Sequence, residues 1–146
     1  MRLVVQGIDN MSIRILLADD HTIILQGLSR FLQEQKGLDV VGQAKDGPTV
    51  VALARELKPD VVIMDISMPG LSGIEATRQI RTENPNVKII GLSMHAAKRY
   101  VQEMCKAGAR GYLLKDCDFD ELTGAIHTVA EGGTYFAAEF QDVALR

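Results

Sequence analysis

Little in this chain points to a membrane, a thiolate metal site or a nucleic-acid surface. Of its 146 residues only two are cysteine, Cys105 and Cys117. Their separation matches no metal-ligand pattern, so they read as two free thiols in a cytoplasmic protein. No apolar run approaches the roughly 20 residues that a membrane-spanning helix needs. The opening stretch Met1 to Asn10, MRLVVQGIDN, is too short and too polar for a secretory signal. Met11 offers a second start, and residues 1–12 read as an N-terminal extension. Basic charge is also scarce. With 16 Lys and Arg against 19 Asp and Glu the net charge is -3, which leaves no broad surface for gripping phosphates. There is no internal repeat, no low-complexity tract and no linker before Gly132.

What is present suits one domain with a single core. The composition, 47% hydrophobic and 24% charged, is that of an ordinary globular protein. Short apolar runs recur at Ile13–Ala18, Leu38–Ala44, Asp60–Met64, Val87–Leu92 and Gly111–Leu114. Several are continuously apolar and rich in Val, Ile and Leu, as strands covered on both faces must be. Helical stripes lie between them: Ile24, Leu28, Phe31 and Leu32; Val50, Val51, Ala54 and Leu57; Ile74, Thr77 and Ile80; Val101, Met104, Cys105 and Ala107; Leu122, Ala125, Ile126 and Val129. Punctuation agrees. Pro48 suits a first helical turn, Ser72 can cap a helix, and Pro59, Pro85 and Gly132-Gly133 mark helix ends. Strands alternating with helices predict βαβ units with right-handed crossovers, hence an open parallel sheet covered on both sides.

In such sheets ligands bind beyond the carboxyl ends of the strands. Asp19 and Asp20 follow the first run, Asp65 the third, Ser93 the fourth and Lys115 the fifth; Lys45 and Asp46 follow the second, at an expected sheet edge. Three carboxylates on one rim repel one another unless a cation neutralises them. Mg²⁺, or Mn²⁺, is the kind of hard cation that uses a few carboxylates and leaves places for water and phosphate oxygens. Asp20 and Asp65 suit direct ligation, Asp19 ligation directly or through water, and the backbone carbonyl of Ser67 a further oxygen. One carboxylate can then attack phosphorus in line to give an acyl phosphate. The metal and Lys115 would offset the charge on the phosphoryl oxygens. Ser93 would donate a hydrogen bond to the group once formed. Asp65 is the expected nucleophile, because the loop Ile66-Ser67-Met68-Pro69-Gly70 is turned and stiffened by Pro69 and Gly70.

These residues resemble the receiver domains of two-component response regulators over about Ile13 to Glu131. The likeness rests on Ala18-Asp19-Asp20-His21, on Asp65-Ile66-Ser67-Met68-Pro69-Gly70-Leu71-Ser72-Gly73, on Leu92-Ser93-Met94-His95 and on Gly111-Tyr112-Leu113-Leu114-Lys115. It implies a flavodoxin-like α/β fold, a five-stranded parallel sheet of order 2-1-3-4-5 with five helices. It also implies phosphotransfer from a histidine kinase to Asp65, with Mg²⁺ held by Asp19, Asp20 and Asp65. A switch is implied as well, in which Ser93 moves toward the phosphoryl group and Tyr112 passes from an exposed to a buried rotamer. That movement would reshape the face made by the fourth helix, fifth strand and fifth helix, with a homodimer as one outcome, through that face or the first helix.

His21, the Gly-Tyr-Leu-Leu-Lys-Asp stretch ending at Asp116, and Gly132-Gly133-Thr134-Tyr135-Phe136 with Ala138-Glu139 resemble the LuxR-type (NarL/FixJ) subfamily, whose members carry a helix-turn-helix output domain. The expected organisation is therefore an extension at 1–12, a receiver at 13–131, and at 132–146 the start of a linker toward an output domain that is not in this sequence. DNA would be bound only through that output domain. Two departures from the family pattern stand out. Asp116 follows the lysine where many receivers have proline, and Ser67 stands where many have asparagine. With His95, Ser67 is expected near the phosphoryl group, where the two tune its exposure to water.

Taken singly, most of these residues have plainer readings. Asp19 and Asp20 could cap a helix, Lys115 could be a surface lysine, Ser93 a locally bonded hydroxyl, and Tyr112 half-buried packing. His21 is expected at a helix start, His95 in a loop and His127 on the surface. Three other functions compete. A true aspartyl-phosphate hydrolase wants a general acid two residues past the nucleophile, where Ser67 is a poor one. A flavin module wants a Ser/Thr/Gly-rich phosphate loop after the first strand, where Asp19 and Asp20 would repel phosphate. A free-standing receiver acting by docking to another protein remains the alternative within the same fold. The preferred reading is not an enzyme but a signalling phosphoacceptor that assists its own phosphorylation and dephosphorylation.

Overall fold

In the computed structural model, which describes residues 12–144, the alternation of apolar runs and amphipathic stretches becomes a strand-helix succession. The elements are β1 Ile13–Ala18, α1 Thr22–Gln33, β2 Leu38–Ala44, α2 Gly47–Leu57, β3 Val61–Met64, α3 Gly73–Glu83, β4 Lys88–Ser93, α4 Lys98–Ala107, β5 Gly111–Leu114 and α5 Phe119–Ala130. A short strand β6, Tyr135–Phe136, a 3-10 turn, Ala138–Phe140, and a last helical turn α6, Gln141–Ala144, follow. Neighbouring strands are all parallel, in the order β2-β1-β3-β4-β5-β6. This is the flavodoxin-like arrangement that the sequence implies, with a sixth strand added at the edge.

The added strand has a physical cause. Without it β5 would present an unpaired row of backbone groups. Tyr135 pairs with Gly111 and Phe136 with Tyr112, and a Cβ at Gly111 would lie only 2.8 Å from the Tyr135 carbonyl oxygen. The residues expected to begin a linker are thus packed onto the domain as far as Val143, which is buried together with Phe140. The expected N-terminal extension lies outside the described residues apart from Ser12.

Period-two alternation divides the core between the two faces of the sheet. Leu16, Ala18, Val62, Met64, Ile89 and Tyr112 point to the layer of α2, α3 and α4. Ile15, Leu17, Val61, Ile63, Ile90 and Leu113 point to α1 and α5. All four residues of β3 are buried, because helices cover both of its sides. On α1 the expected stripe holds at Leu32, with Leu28 and Phe31 packed against the same core, but Leu25 is the buried residue in place of the half-buried Ile24.

Side chains cap three helices as the backbone requires. Thr49 N–H donates to Asp46 Oδ1 at 2.7 Å, Glu75 N–H to Ser72 Oγ at 3.2 Å, and Glu121 N–H to Asp118 Oδ1 at 2.7 Å. The bond to Thr49 holds the Asp46 carboxyl below the usual range. Lys58 ends α2 in the left-handed region at φ 49°, immediately before Pro59. All described peptide bonds are trans, including Lys115–Asp116.

Candidate functional site

The carboxyl ends of β2, β1 and β3 are held level by the ladders that join them. Asp65 N–H donates to the Ala18 carbonyl at 2.9 Å, and Asp19 N–H to the Ala44 carbonyl at 3.0 Å. On the other side Met64 pairs with Gly91 and Ser93 with Leu114. Lys115 N–H donates to the Ser93 carbonyl at 2.9 Å. Parallel strands in register therefore deliver Asp19, Asp65, Ser93 and Lys115 to one rim.

On that rim Lys115 Nζ lies 2.7 Å from Asp19 Oδ2 and 3.3 Å from Asp65 Oδ2. These three side chains are nearly sealed from solvent, at 4–5% exposure. The contacts are ion pairs rather than aligned hydrogen bonds, and both Lys115 Nζ and Asp65 Oδ2 are buried without a hydrogen-bond partner. Asp20 is exposed beside them. Burial first, then the neighbouring Asp19 charge, push the Asp65 carboxyl above its ordinary value, against the pull of Lys115 and of the Ile66 N–H.

His21 is the N-cap residue of α1, as expected, but it also closes the mouth of the cluster. Its N–H donates to Asp19 Oδ1 at 2.8 Å, and its Nδ1 lies 2.9 Å from the same oxygen and 3.2 Å from Asp20 Oδ1. One donor atom each from Asp19, Asp20, His21 and Asp65 falls within 4.8 Å of the others, close enough to share a metal ion. Hard carboxylate oxygens dominate the set, and Asp65 offers an oxygen with no hydrogen-bond partner. That chemistry fits a hard divalent cation.

The loop after Asp65 is pinned from two directions. Gly73 N–H donates to the Ile66 carbonyl at 2.6 Å, and Gly47 N–H to the Pro69 carbonyl at 3.1 Å. Gly73 has to be glycine for this approach, since a Cβ there would lie 2.0 Å from the Asp65 carbonyl oxygen. Ser67 is exposed, and its hydroxyl shares a 3.0 Å hydrogen bond with His95 Nε2 instead of joining the carboxylates. Ser93 is fully buried, and its Oγ accepts from His95 N–H at 3.1 Å. Tyr112 is fully buried too, its hydroxyl donating to the His95 carbonyl at 2.7 Å. Burial pushes that phenol up to about 12, against the lowering effect of Ser93.

Asp19, Asp65 and Lys115 meet on the rim with Asp20 exposed beside them, Ser93 lies at the neighbouring strand end, and Lys45 is exposed. His95 is the member whose importance the sequence understates, because it touches Ser67, Ser93 and Tyr112 at once. His127 is exposed, as expected. Cys105 and Cys117 are half-buried and free, and burial raises both thiols, Cys117 to about 11. No described helix is long and apolar enough to cross a membrane.

Residues 15–127 match the family model of the response regulator receiver domain. The chain is 44% identical over 126 residues to the transcriptional regulatory protein MctR of Rhizobium johnstonii, covering 86% of this chain and 59% of that protein. Among solved structures, a LuxR-family two-component response regulator from an Aurantimonas species superposes with a TM-score of 0.86 at 35% identity, covering 92% of this chain and 96% of that one. The isolated receiver of RcsB from Salmonella enterica serovar Typhimurium, solved with the phosphomimetic BeF3-, gives 0.81 at 25% identity, covering 90% and 98%. The chain spans 55–63% of the length of curated relatives that it matches.

Proposed function

This chain belongs to the family of response regulator receiver domains, and from that premise we propose that Asp65 is its phosphoacceptor, loaded by a histidine kinase. The observation that carries the reading is Lys115, buried between Asp19 and Asp65 at the strand ends. A buried cation against two buried carboxylates is costly to assemble, and removing one member leaves uncompensated charge. Such a cluster serves chemistry better than it serves stability.

Asp19, Asp20 and Asp65, with the Ser67 backbone carbonyl, would hold Mg²⁺ or Mn²⁺. When bound, the cation supplies positive charge beside the phosphoryl oxygens. Asp65 acts as nucleophile, its carboxylate oxygen forming the new P–O bond as the donor's P–N bond breaks. Lys115, already facing both carboxylates, offsets charge on the equatorial oxygens. Ser93 gives its hydroxyl proton to a hydrogen bond with the phosphoryl group, and Tyr112, already in the buried rotamer here rather than the exposed one, is the second switch residue. Ser67 and His95 narrow the approach of water.

The role is that of a signalling phosphoacceptor in the cytoplasm, which assists its own phosphorylation and dephosphorylation but turns over no separate substrate. Receiver 13–131 and residues 132–146 lead toward a helix-turn-helix output domain, through which the parent transcription factor would bind DNA. Phosphorylation favours a homodimer through α1 or through the α4-β5-α5 side, which in this chain carries β6 and the turn that seats Phe140 and Val143.

One experiment tests the reading. Incubation with Mg²⁺ and a small acyl phosphate donor, followed by intact-mass measurement, is expected to add one phosphoryl group. The addition should vanish with chelator and in Asp65→Asn, whose amide is a far weaker nucleophile. Full labelling of that variant would overturn the assignment. Sedimentation of the same samples should show self-association in the phosphorylated chain, and unchanged monomer would remove that part.

A further inference from the structure

Tyr112 lies in a slot whose inner wall is Gly91, its register partner on β4. A Cβ at Gly91 would stand 2.9 Å from Tyr112 Cδ2 and 3.1 Å from Met104 Cε. Only a residue without a side chain admits the ring here. The other wall comes from the segment after α5. Phe140 is 1% exposed and meets the Tyr112 ring edge-on, with centroids 5.5 Å apart and planes at 83°.

The segment is fastened on both sides of that contact. β6 pairs with β5, Ala137 N–H donates to the Tyr112 carbonyl at 3.3 Å, Val143 is buried, and Asp142 lies 3.7 Å from Lys98 Nζ on α4. At its other end Tyr112 holds the His95 carbonyl, while His95 holds Ser93 through its N–H and Ser67 through its ring. Direct contacts therefore run without a break from Phe140 to the loop that carries Asp65.

We propose that Phe140 is a positioning residue for the phosphoacceptor site: it closes the slot that keeps Tyr112 buried and so favours the Ser93–His95 arrangement in which Asp65 receives its phosphoryl group. The proposal rests on the reading of Asp65 as phosphoacceptor. It makes the seating of Phe140 part of the switch, so that the segment after α5 is not a passive exit from the domain. Coupling of this kind is reciprocal. What Phe140 contributes to phosphoryl binding, the bound group returns as tighter seating of the segment.

The test uses the full chain and beryllofluoride with Mg²⁺ as the probe. In calorimetric titration Phe140→Ala is expected to bind the probe about two- to tenfold more weakly, the range of an edge-to-face aromatic pair. Phe140→Leu keeps an apolar group in place and should fall between it and the original chain, which covers the case in which the alanine variant does not fold. Gly91→Ala, attacking the slot from inside, should weaken binding in the same direction, while Glu139→Ala, exposed beside Phe140, should not. In the original chain, hydrogen exchange at the Ala137 and Phe140 amides should slow when the probe binds. Unchanged affinity in a folded Phe140 variant would overturn the proposal.

A second readout is independent of phosphoryl chemistry. A soluble paramagnetic agent should broaden the Tyr112 ring signals in Phe140→Ala and leave them sharp in the original chain. Should the original chain fail to bind beryllofluoride, the Asp65 reading falls, and this readout alone decides the slot. Equal protection of Tyr112 in both proteins would then refute it.

Discussion

Replacing Lys115 by methionine keeps most of the apolar stem and deletes the one charge that faces both buried carboxylates. Breaking a buried pair in this way typically costs about 3–5 kcal/mol. Here the loss has a ceiling set by pH, because Asp65 can escape the repulsion by taking up a proton. At about 1.36 kcal/mol per pH unit above an unfolded value near 3.9, that escape costs about 4 kcal/mol at pH 7 and about 1.5 kcal/mol at pH 5.

The sign follows from the direction of the shift. Burial and Asp19 already raise the Asp65 carboxyl in the folded chain, and Lys115 opposes them. Without Lys115 the folded value rises further. An acid with a raised folded value holds its proton more tightly when folded, so its contribution is full below the unfolded value and drains away as pH rises through the folded one. The variant should therefore lose about 3 kcal/mol at pH 7 and no more than about 1.5 kcal/mol at pH 5. Urea unfolding in the presence of chelator reads this directly, as a fall in midpoint of about 1.5 M at pH 7 for a slope near 2 kcal/mol/M. Equal losses at the two pH values, or a loss below about 1 kcal/mol at pH 7, would refute the view that Lys115 compensates a buried anionic pair.

Two other outcomes follow from the same geometry. Gly73→Ala places a Cβ 2.0 Å from the Asp65 carbonyl oxygen and 2.8 Å from Ile66 Cα, backbone atoms that cannot swing aside. Urea unfolding should show a loss of about 1–3 kcal/mol, acyl phosphate labelling should slow, and original values in both would refute the close-approach argument. Mg²⁺ should stabilise the chain by about 1.4 kcal/mol for each tenfold excess over its dissociation constant. Asp20→Asn should forfeit most of that gain in thermal melts with and without chelator, and an undiminished gain would remove Asp20 from the ligand set.

The strands were legible because β1, β3 and β4 are covered on both faces and had to be written as nearly unbroken apolar runs. Helix limits were legible where a local device sets them, as Ser72 does for α3 and Pro48 and Pro59 do around α2. The rim was legible for a topological reason. Once the strands are parallel, whatever follows each of them must meet at one edge, so Asp19, Asp65, Ser93 and Lys115 could be grouped before any distance was measured.

Other features depended on meetings between distant parts of the chain. Leu25 displaces Ile24 from the buried face of α1 because the helix turns to suit the sheet beneath it, and a stripe alone does not fix that rotation. Phe140 and Val143 have the spacing of one helical face, yet nothing local says that they sink into the layer of Tyr112. His95 becomes a hub only when Ser67, Ser93 and Tyr112 arrive from three other places in the fold.

By itself, then, the order of residues determined the strand-helix alternation, the parallel sheet and the anionic rim, since each is written in neighbouring side chains and in where apolar runs stop. Tertiary structure alone decided the sixth strand, the burial of Tyr112 between Gly91 and Phe140, and the seating of Lys115 between two carboxylates. Those depend on which surfaces remain unpaired after the sheet has formed, and that balance of burial and charge exists only in the folded chain.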